Sequence, residues 1–264
     1  MLYYIGSLFV NSFGPARLLQ SYTILIGLSL FVGFALTYFI LPKCFRFLPS
    51  DRGREFTLTA EAAKGKPTGG GVVFITIFVL TVVIFVPLDL LQLSILILTW
   101  LTMLTGFLDD RSITSWGEYL KGALDLVICV AASFVLYFLN EKVMNGQPIQ
   151  FWLPFVTKPV TIAPWLFITI STVLLWMSIN TTNCTDGVDG LSSTLVLIGL
   201  ITMGIIFYFI LGHKEISAYL LVPHLKDGAT WGLMCFTLSG VLMGYLWHNA
   251  FPSKVLMGDA GSRA

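Results

Sequence analysis

Long uninterrupted apolar runs separated by short polar connections are the dominant pattern of this sequence. Leu, Ile, Val and Phe fill each run, without the alternation of apolar and polar residues that marks a barrel strand. About 20 such residues cross a hydrocarbon core of about 30 Å at 1.5 Å per residue. Inside lipid only helices or closed barrels satisfy the backbone, so helices are predicted. Seven spans follow, at about 21 to 41, 72 to 88, 91 to 108, 120 to 139, 163 to 181, 190 to 211 and 230 to 247. The polar connections are 42 to 71, 89 to 90, 109 to 119, 140 to 162, 182 to 189 and 212 to 229, with a tail from His248. No internal repeat interrupts the pattern, so residues 1 to 264 are expected to form one all-α, polytopic membrane bundle.

Composition removes the alternatives. Of 264 residues, 56% are hydrophobic and 11% charged, with a mean hydropathy of +0.85. Soluble domains carry about 25% charged residues, so a water-soluble globule is excluded. A net charge of +1 and the lack of a basic stripe with interleaved aromatics give no reason for a nucleic-acid partner. Cys44, Cys129, Cys184 and Cys235 are scattered without the paired spacing of a zinc or redox site. Residues 1 to 20 lack a basic n-region and a small-residue cleavage site, so no cleaved signal peptide is expected.

Charge sets the orientation. Lys43, Arg46, Arg52, Arg54, Lys64, Lys66, Arg111, Lys121, Lys254 and Arg263 fall on one side of the predicted spans, and Arg17, Lys142, Lys158, Lys214 and Lys226 on the other. The richer side is expected in the cytoplasm and the N-terminus outside.

Four polar motifs then share the cytoplasmic side. Lys64-Gly-Lys-Pro-Thr-Gly-Gly-Gly71 leads into the second span. Its glycines allow close backbone approach and offer N–H groups to an anion beside two lysines, unless it is merely a flexible loop. Gly106-Phe-Leu-Asp-Asp-Arg111 ends the third span, where adjacent carboxylates call for a cation or a proton. Asp109 and Asp110 lie about 100° apart on a helix and should do different jobs, or else simply end the span in water. In Asn180-Thr-Thr-Asn-Cys-Thr-Asp-Gly-Val-Asp-Gly190, four polar residues recur every third position: Asn180, Asn183, Asp186 and Asp189. On a helical or 3₁₀-like turn they would stack along one slowly drifting face; a plain glycine-rich turn is the alternative. Met257-Gly-Asp-Ala-Gly-Ser262, after Trp247-His-Asn-Ala-Phe-Pro252, places Asp259 between glycines. Together these carboxylates and lysines suit a Mg²⁺-diphosphate site.

The order K-P-T-x-G-G, F-L-D-D, N-x-T-D-G-x-D-G-L and M-G-D-x-G-S resembles the polyprenyl-phosphate aminosugar 1-phosphate transferases, from about residue 40 onward. Pro67-Thr68 and Thr185 make the likeness closest to the phospho-N-acetylmuramoyl-pentapeptide transferases of bacterial peptidoglycan synthesis. The resemblance implies attack by undecaprenyl phosphate on UDP-MurNAc-pentapeptide, giving lipid I and UMP, with Mg²⁺ required. It implies an enzyme of the bacterial cytoplasmic membrane, working on that bilayer's cytoplasmic face, and admits a homodimer. Carried over by motif, Asp109, Asp110 and Asp259 are the catalytic and metal-binding candidates. Lys66, Thr68, Lys121, Asn183, Asp186, Asp189, Asn249 and Leu256 are the substrate-binding candidates. Lys121 has a second reading, as a snorkelling anchor paired with Asp125 one turn on. Asp125 itself carries no motif and is expected to tolerate replacement.

Two departures stand out. Leu256 occupies a position where relatives often place an aromatic that stacks on uracil, so Leu256→Phe is expected to tighten nucleotide binding. The family also continues through further spans, about ten in all, and a histidine-rich cytoplasmic loop, so the chain is expected to be part of a longer protein. His213 and His224 are predicted outside, and His248 is expected to be structural. The nearest rival is a transferase using UDP-N-acetylglucosamine or another UDP-aminosugar. An ion-coupled transporter is disfavoured because such sites lie near the bilayer midplane.

The orientation is testable with single cysteines in a cysteine-free background. On intact cells an impermeant thiol reagent is expected to label a cysteine near Gly146 and not one near Thr68. The reverse pattern would overturn the orientation and the shared cytoplasmic face.

Overall fold

The computed structural model describes residues 1–10, 13–51, 64–114, 116–153 and 159–264. Arg52, Arg54 and Lys158, used in the orientation count, lie outside the described residues. The chain opens with α1 (Leu2–Phe9) and a 3₁₀ turn, Gly14–Gln20, before α2 (Tyr22–Cys44). Then come α3 (Gly71–Phe85), α4 (Leu90–Arg111), α5 (Glu118–Phe138) and the short α6 (Glu141–Met144). A small antiparallel hairpin, β1 (Gln150–Phe151) with β2 (Val160–Thr161), follows, pairing Gln150 with Thr161. Beyond it lie α7 (Pro164–Thr185), α8 (Leu191–Ile205) with a π-helical continuation over Ile206–Leu211, and the short α9 (Lys214–Tyr219). α10 (Gly228–Asn249) and the single turn α11 (Asp259–Ser262) complete the described elements.

The all-α membrane bundle is borne out, because six helices are long and apolar enough to cross a bilayer. They are Tyr22–Phe47, Leu90–Arg111, Glu118–Phe138, Pro164–Thr185, Leu191–Leu211 and Gly228–Asn249. The expected span at 72 to 88 is the exception. Its helix, α3, has 15 residues and is about 22 Å long, short of a hydrocarbon core. Pro87 explains the early end: it forces Val86 out of the helical region, to φ −91 and ψ 131. Asp89 then starts α4 with a capping box, accepting from the Gln92 N–H at 2.7 Å while its own N–H donates to Gln92 Oε1 at 3.1 Å. α3 is an apolar core helix, burying Phe74, Ile75, Ile77, Phe78 and Val82, and it runs from Gly71, level with Gly106 near the end of α4, to the connection that enters the start of α4.

Around it pack α2 and α10, the two helices that share the most extensive contact among the described residues. Their backbones approach because small residues line the seam. A Cβ on Gly240 would collide with the Leu30 carbonyl, and one on Gly244 would lie 2.6 Å from the Phe34 carbonyl oxygen. Thr237 Oγ1 donates to Ser29 Oγ at 2.9 Å across the same seam, and the His248 ring bonds the Tyr38 carbonyl at 3.0 Å, a structural role as expected. On the far side α5 and α7 are tied by Thr172 and Ser133 at 3.0 Å and by the Trp176 indole N–H on the Gly122 carbonyl. The outer faces of α7 and α8 present Leu174, Met177, Leu195 and Ile198, as helices facing lipid do. The N-terminal amine bonds the Val83 carbonyl near the end of α3, so α1 lies at the opposite end of α3 from Gly71.

Replacing Gly240 with alanine is expected to push α2 and α10 apart and destabilise the bundle by about 1 to 3 kcal/mol. Gly27→Ala, where a Cβ would meet nothing within 4 Å, should leave stability unchanged. Thermal unfolding in detergent checks both.

Candidate active site

The four motifs meet at one end of the bundle, and the fourth is threaded through the others. Asp110, on the last turn of α4, accepts the N–H groups of Asp259 and Ala260, each at 3.0 Å. It thereby caps α11 from a neighbouring helix, satisfying donors that a single turn leaves free. The segment before α11 is zipped to the first motif: Leu256 N–H bonds the Pro67 carbonyl, and Gly70 and Gly71 donate to the carbonyls of Leu256 and Met257. A Cβ on Gly71 would strike the Gly261 backbone, and one on Gly106 the Asp259 carbonyl. These glycines thus admit the protein's own backbone, and the N–H groups of Gly70 and Gly71, expected to meet an anion, are taken by carbonyls.

Asp109 points elsewhere, as its angular separation from Asp110 requires. Its Oδ1 accepts the Trp116 N–H at 2.6 Å, and its Oδ2 lies 2.5 Å from Lys121 Nζ. The same ammonium contacts Asp259 Oδ2 at 2.8 Å, so one lysine bridges two motifs. Asn183 Nδ2 donates to Asp259 Oδ1 at 3.3 Å. Burial would raise the Asp259 pKa, but the Lys121 hydrogen bond and charge hold it below the ordinary carboxylate range.

A cavity of about 460 Å³ opens at this point, within the range of small-molecule sites. Thr68, Asp109, Asp110, Lys121, Asn183, Asp186 and Asp259 line it, so all four motifs contribute. Other candidates sit behind this wall. Lys66 Nζ donates to Ser253 Oγ at 2.9 Å and lies 3.7 Å from Asp189 Oδ2, which accepts the Ser253 N–H at 3.1 Å.

The chain is similar in sequence to known proteins. The model of glycosyl transferase family 4 matches residues 92–264, covering the second to fourth motifs. A phospho-N-acetylmuramoyl-pentapeptide-transferase of Treponema pallidum (strain Nichols) is 54% identical over 254 residues, 96% of this chain and 68% of the relative. Relatives of the same name from Campylobacter curvus (32% identical; 99% of this chain, 75% of theirs) and Helicobacter pylori strain J99 (30%; 94% and 72%) are also similar. The chain belongs to the phospho-N-acetylmuramoyl-pentapeptide transferases of glycosyl transferase family 4.

Within this transferase family's motifs the structure revises several expected roles. Leu256 is 5% exposed and does not line the cavity; its backbone, zipped to Pro67 and Gly70, is what the fold uses. Asn249, 3% exposed, is an internal strut: its Oδ1 accepts from the Gly190 N–H and Ser193 Oγ, and its Nδ2 donates to the Val255 carbonyl. The polar stack of the third motif is broken, because Asn180 bonds the Trp176 carbonyl on its own helix and α7 stops at Thr185. Asp125 pairs with Arg263, not Lys121, and both are buried, so its expected tolerance to replacement is withdrawn. Ser50 and Asp51, which no motif signalled, also line the cavity. They are brought there by pairing with the first motif, through Asp51 N–H on the Lys66 carbonyl and Thr68 N–H on the Pro49 carbonyl.

The metal expectation rests on the same carboxylates. Among the described residues no group of three or more His, Cys, Asp or Glu is arranged to hold a metal ion. Asp109, Asp110 and Asp259 all line the cavity, each with both oxygens engaged by a donor and a further lone pair on each oxygen. Carboxylates completed by phosphate oxygens are a common Mg²⁺ environment. A buried Asp51 Oδ2 without a hydrogen-bond partner adds to the cavity's capacity for a cation.

Asp110→Asn offers one acceptor where two N–H groups need one each. It is expected to cost about 1 to 3 kcal/mol of stability, read by thermal unfolding. Arg111→Gln at the exposed next position should stay within about 0.5 kcal/mol.

Proposed function

We propose that this protein transfers phospho-MurNAc-pentapeptide from UDP-MurNAc-pentapeptide to undecaprenyl phosphate, yielding lipid I and UMP, on the cytoplasmic face of the bacterial inner membrane. The observation that carries the reading is the Lys121 ammonium held between Asp109 and Asp259 in an aspartate-lined cavity at one end of an apolar bundle. Family membership supports the substrate class.

In the reaction a phosphate oxygen of the lipid attacks the phosphorus that bears the sugar. The bond from that phosphorus to the bridging oxygen breaks, and UMP leaves with the electron pair. Such transfers are catalysed mainly by positioning and charge stabilisation. Lys121 supplies positive charge at the reacting phosphates, exchanging its carboxylate partners for phosphate oxygens. Asp109, 6% exposed and fixed by the Trp116 N–H, orients the attacking group. Asn183 holds the Asp259 carboxylate, and Asp186 lines the nucleotide side. Five aspartates and one lysine line the cavity among the described residues, which would repel a diphosphate. A cation must therefore accompany it; Mg²⁺ held by Asp259 and Asp109 fits, and when bound it neutralises diphosphate charge.

The test follows label from UDP-MurNAc-pentapeptide into extractable lipid, with UMP counted, in membranes carrying the full-length protein. Transfer from UDP-N-acetylglucosamine alone would move the assignment to the rival aminosugar transferases. Asp259→Asn keeps shape and removes charge, so turnover is expected to fall on the order of 10²-fold or more. Asp89→Asn, a cap at the other end of α4, should be nearly silent. Near-normal turnover of Asp259→Asn with an unchanged Mg²⁺ requirement would place the metal elsewhere.

A further inference from the structure

Lys121 and Asp125 lie one turn apart on α5, and Asp259 and Arg263 lie one turn apart on α11 and its C-terminal cap. The two turns face each other with their charges in opposite order. One rung, Lys121 to Asp259 at 2.8 Å, lines the cavity with both side chains partly exposed. The other is Arg263 to Asp125, with Nη2 to Oδ1 at 2.5 Å and Nε to Oδ2 at 3.1 Å, and both side chains are almost fully buried. Arg263 Nη2 also donates to the Lys121 carbonyl at 3.3 Å, so the guanidinium grips the residue that carries the catalytic ammonium.

The reversed order specifies one register. Slipping α11 by one turn, about 5.4 Å, would set Asp125 against Asp259 or Arg263 against Lys121. Like charges at such a site strongly disfavour each other. The two rungs also differ in what can reach them. A phosphate in the cavity competes for Lys121, whereas Arg263 does not line the cavity and is 2% exposed.

We infer that the Arg263–Asp125 pair is a positioning device. It keeps α11 docked on α5, and Lys121 in place, during the interval when Lys121 gives up Asp259 for an anionic substrate. This rests on the reading of Lys121 and Asp259 given under Proposed function. Asp110 ties α11 to α4, and Arg263 ties it to α5, so Asp259 is held from two sides without help from Lys121.

Two variants separate positioning from plain structural support. Asp125→Leu with Arg263→Met replaces the buried pair by apolar side chains, a change that often preserves stability. Arg263→Lys keeps the charge and loses the two-pronged grip. The double variant is expected to unfold within a few degrees of the parent and to keep its KM for the sugar nucleotide within about twofold. Its kcat should fall about tenfold or more, and amide exchange over Asp259 to Arg263 should rise several-fold. Arg263→Lys should show the same pattern to a smaller extent. Recovery of kcat together with stability in the double variant would overturn the inference, as would parental kcat and amide exchange in Arg263→Lys. If the double variant does not fold, Arg263→Lys decides. Should the parent protein show no sugar-nucleotide turnover, the functional reading fails, and amide exchange still reports whether the pair holds α11.

Discussion

A carboxylate buried beside a hydrocarbon layer needs donors for its oxygens, and this requirement organises the polar end of the bundle. Asp109 and Asp259 share one ammonium, Asp110 takes two backbone N–H groups, and Asp125 takes a guanidinium. Each solution joins elements far apart in sequence. These carboxylates are therefore the fasteners of the site, and each of these pairings answers the need of a buried oxygen for a donor.

The second constraint is backbone proximity. The stretch from Val255 to Gly261 lies against the starts and ends of α3 and α4 at distances only glycine tolerates on the receiving side. That contact lets Asp110 reach the amides of Asp259 and Ala260, and it delivers the Asp259 carboxylate to Lys121. Packing and electrostatics are thus two aspects of one arrangement: without Gly71 and Gly106 the aspartates could not converge.

Apolar run length is a one-dimensional property, so six spans were legible from sequence to within a few residues. The seventh run was legible as apolar but not as short, since Val86 and Pro87 look lipid-compatible while ending the helix. The motifs were legible because their glycines and carboxylates are neighbours in the chain, and all four do line one cavity. Pairings were not legible. Arg263 and Asp125 are 138 positions apart, and a local i, i+4 partner for Lys121 was the nearer reading. Asn249 and Leu256 sit inside motifs yet serve through internal bonds, a distinction that depends on burial. Asp51 reaches the cavity only through pairing with the first motif, and no pattern in its own neighbourhood announces that.

The depth at which α3 begins has a consequence for how a lipid could meet this cavity. Gly71 at its start and Gly106 on α4 both touch the α11 turn, so they lie at one depth, while α4 continues five residues further to Arg111. Those residues rise about 7.5 Å above the point where α3 begins. The α11 turn fills part of that step, so Asp259 lies on a sunken floor beside a taller rim that carries Asp109 and Asp110. Lifting a long-tailed phosphate out to such a rim would strip methylenes of their oily surroundings at about 0.8 kcal/mol each. For the lipid acceptor proposed above, a floor set below the rim would let the head group arrive while its tail stays dissolved in the bilayer, so the depth at which one helix begins would spare a greasy substrate its extraction.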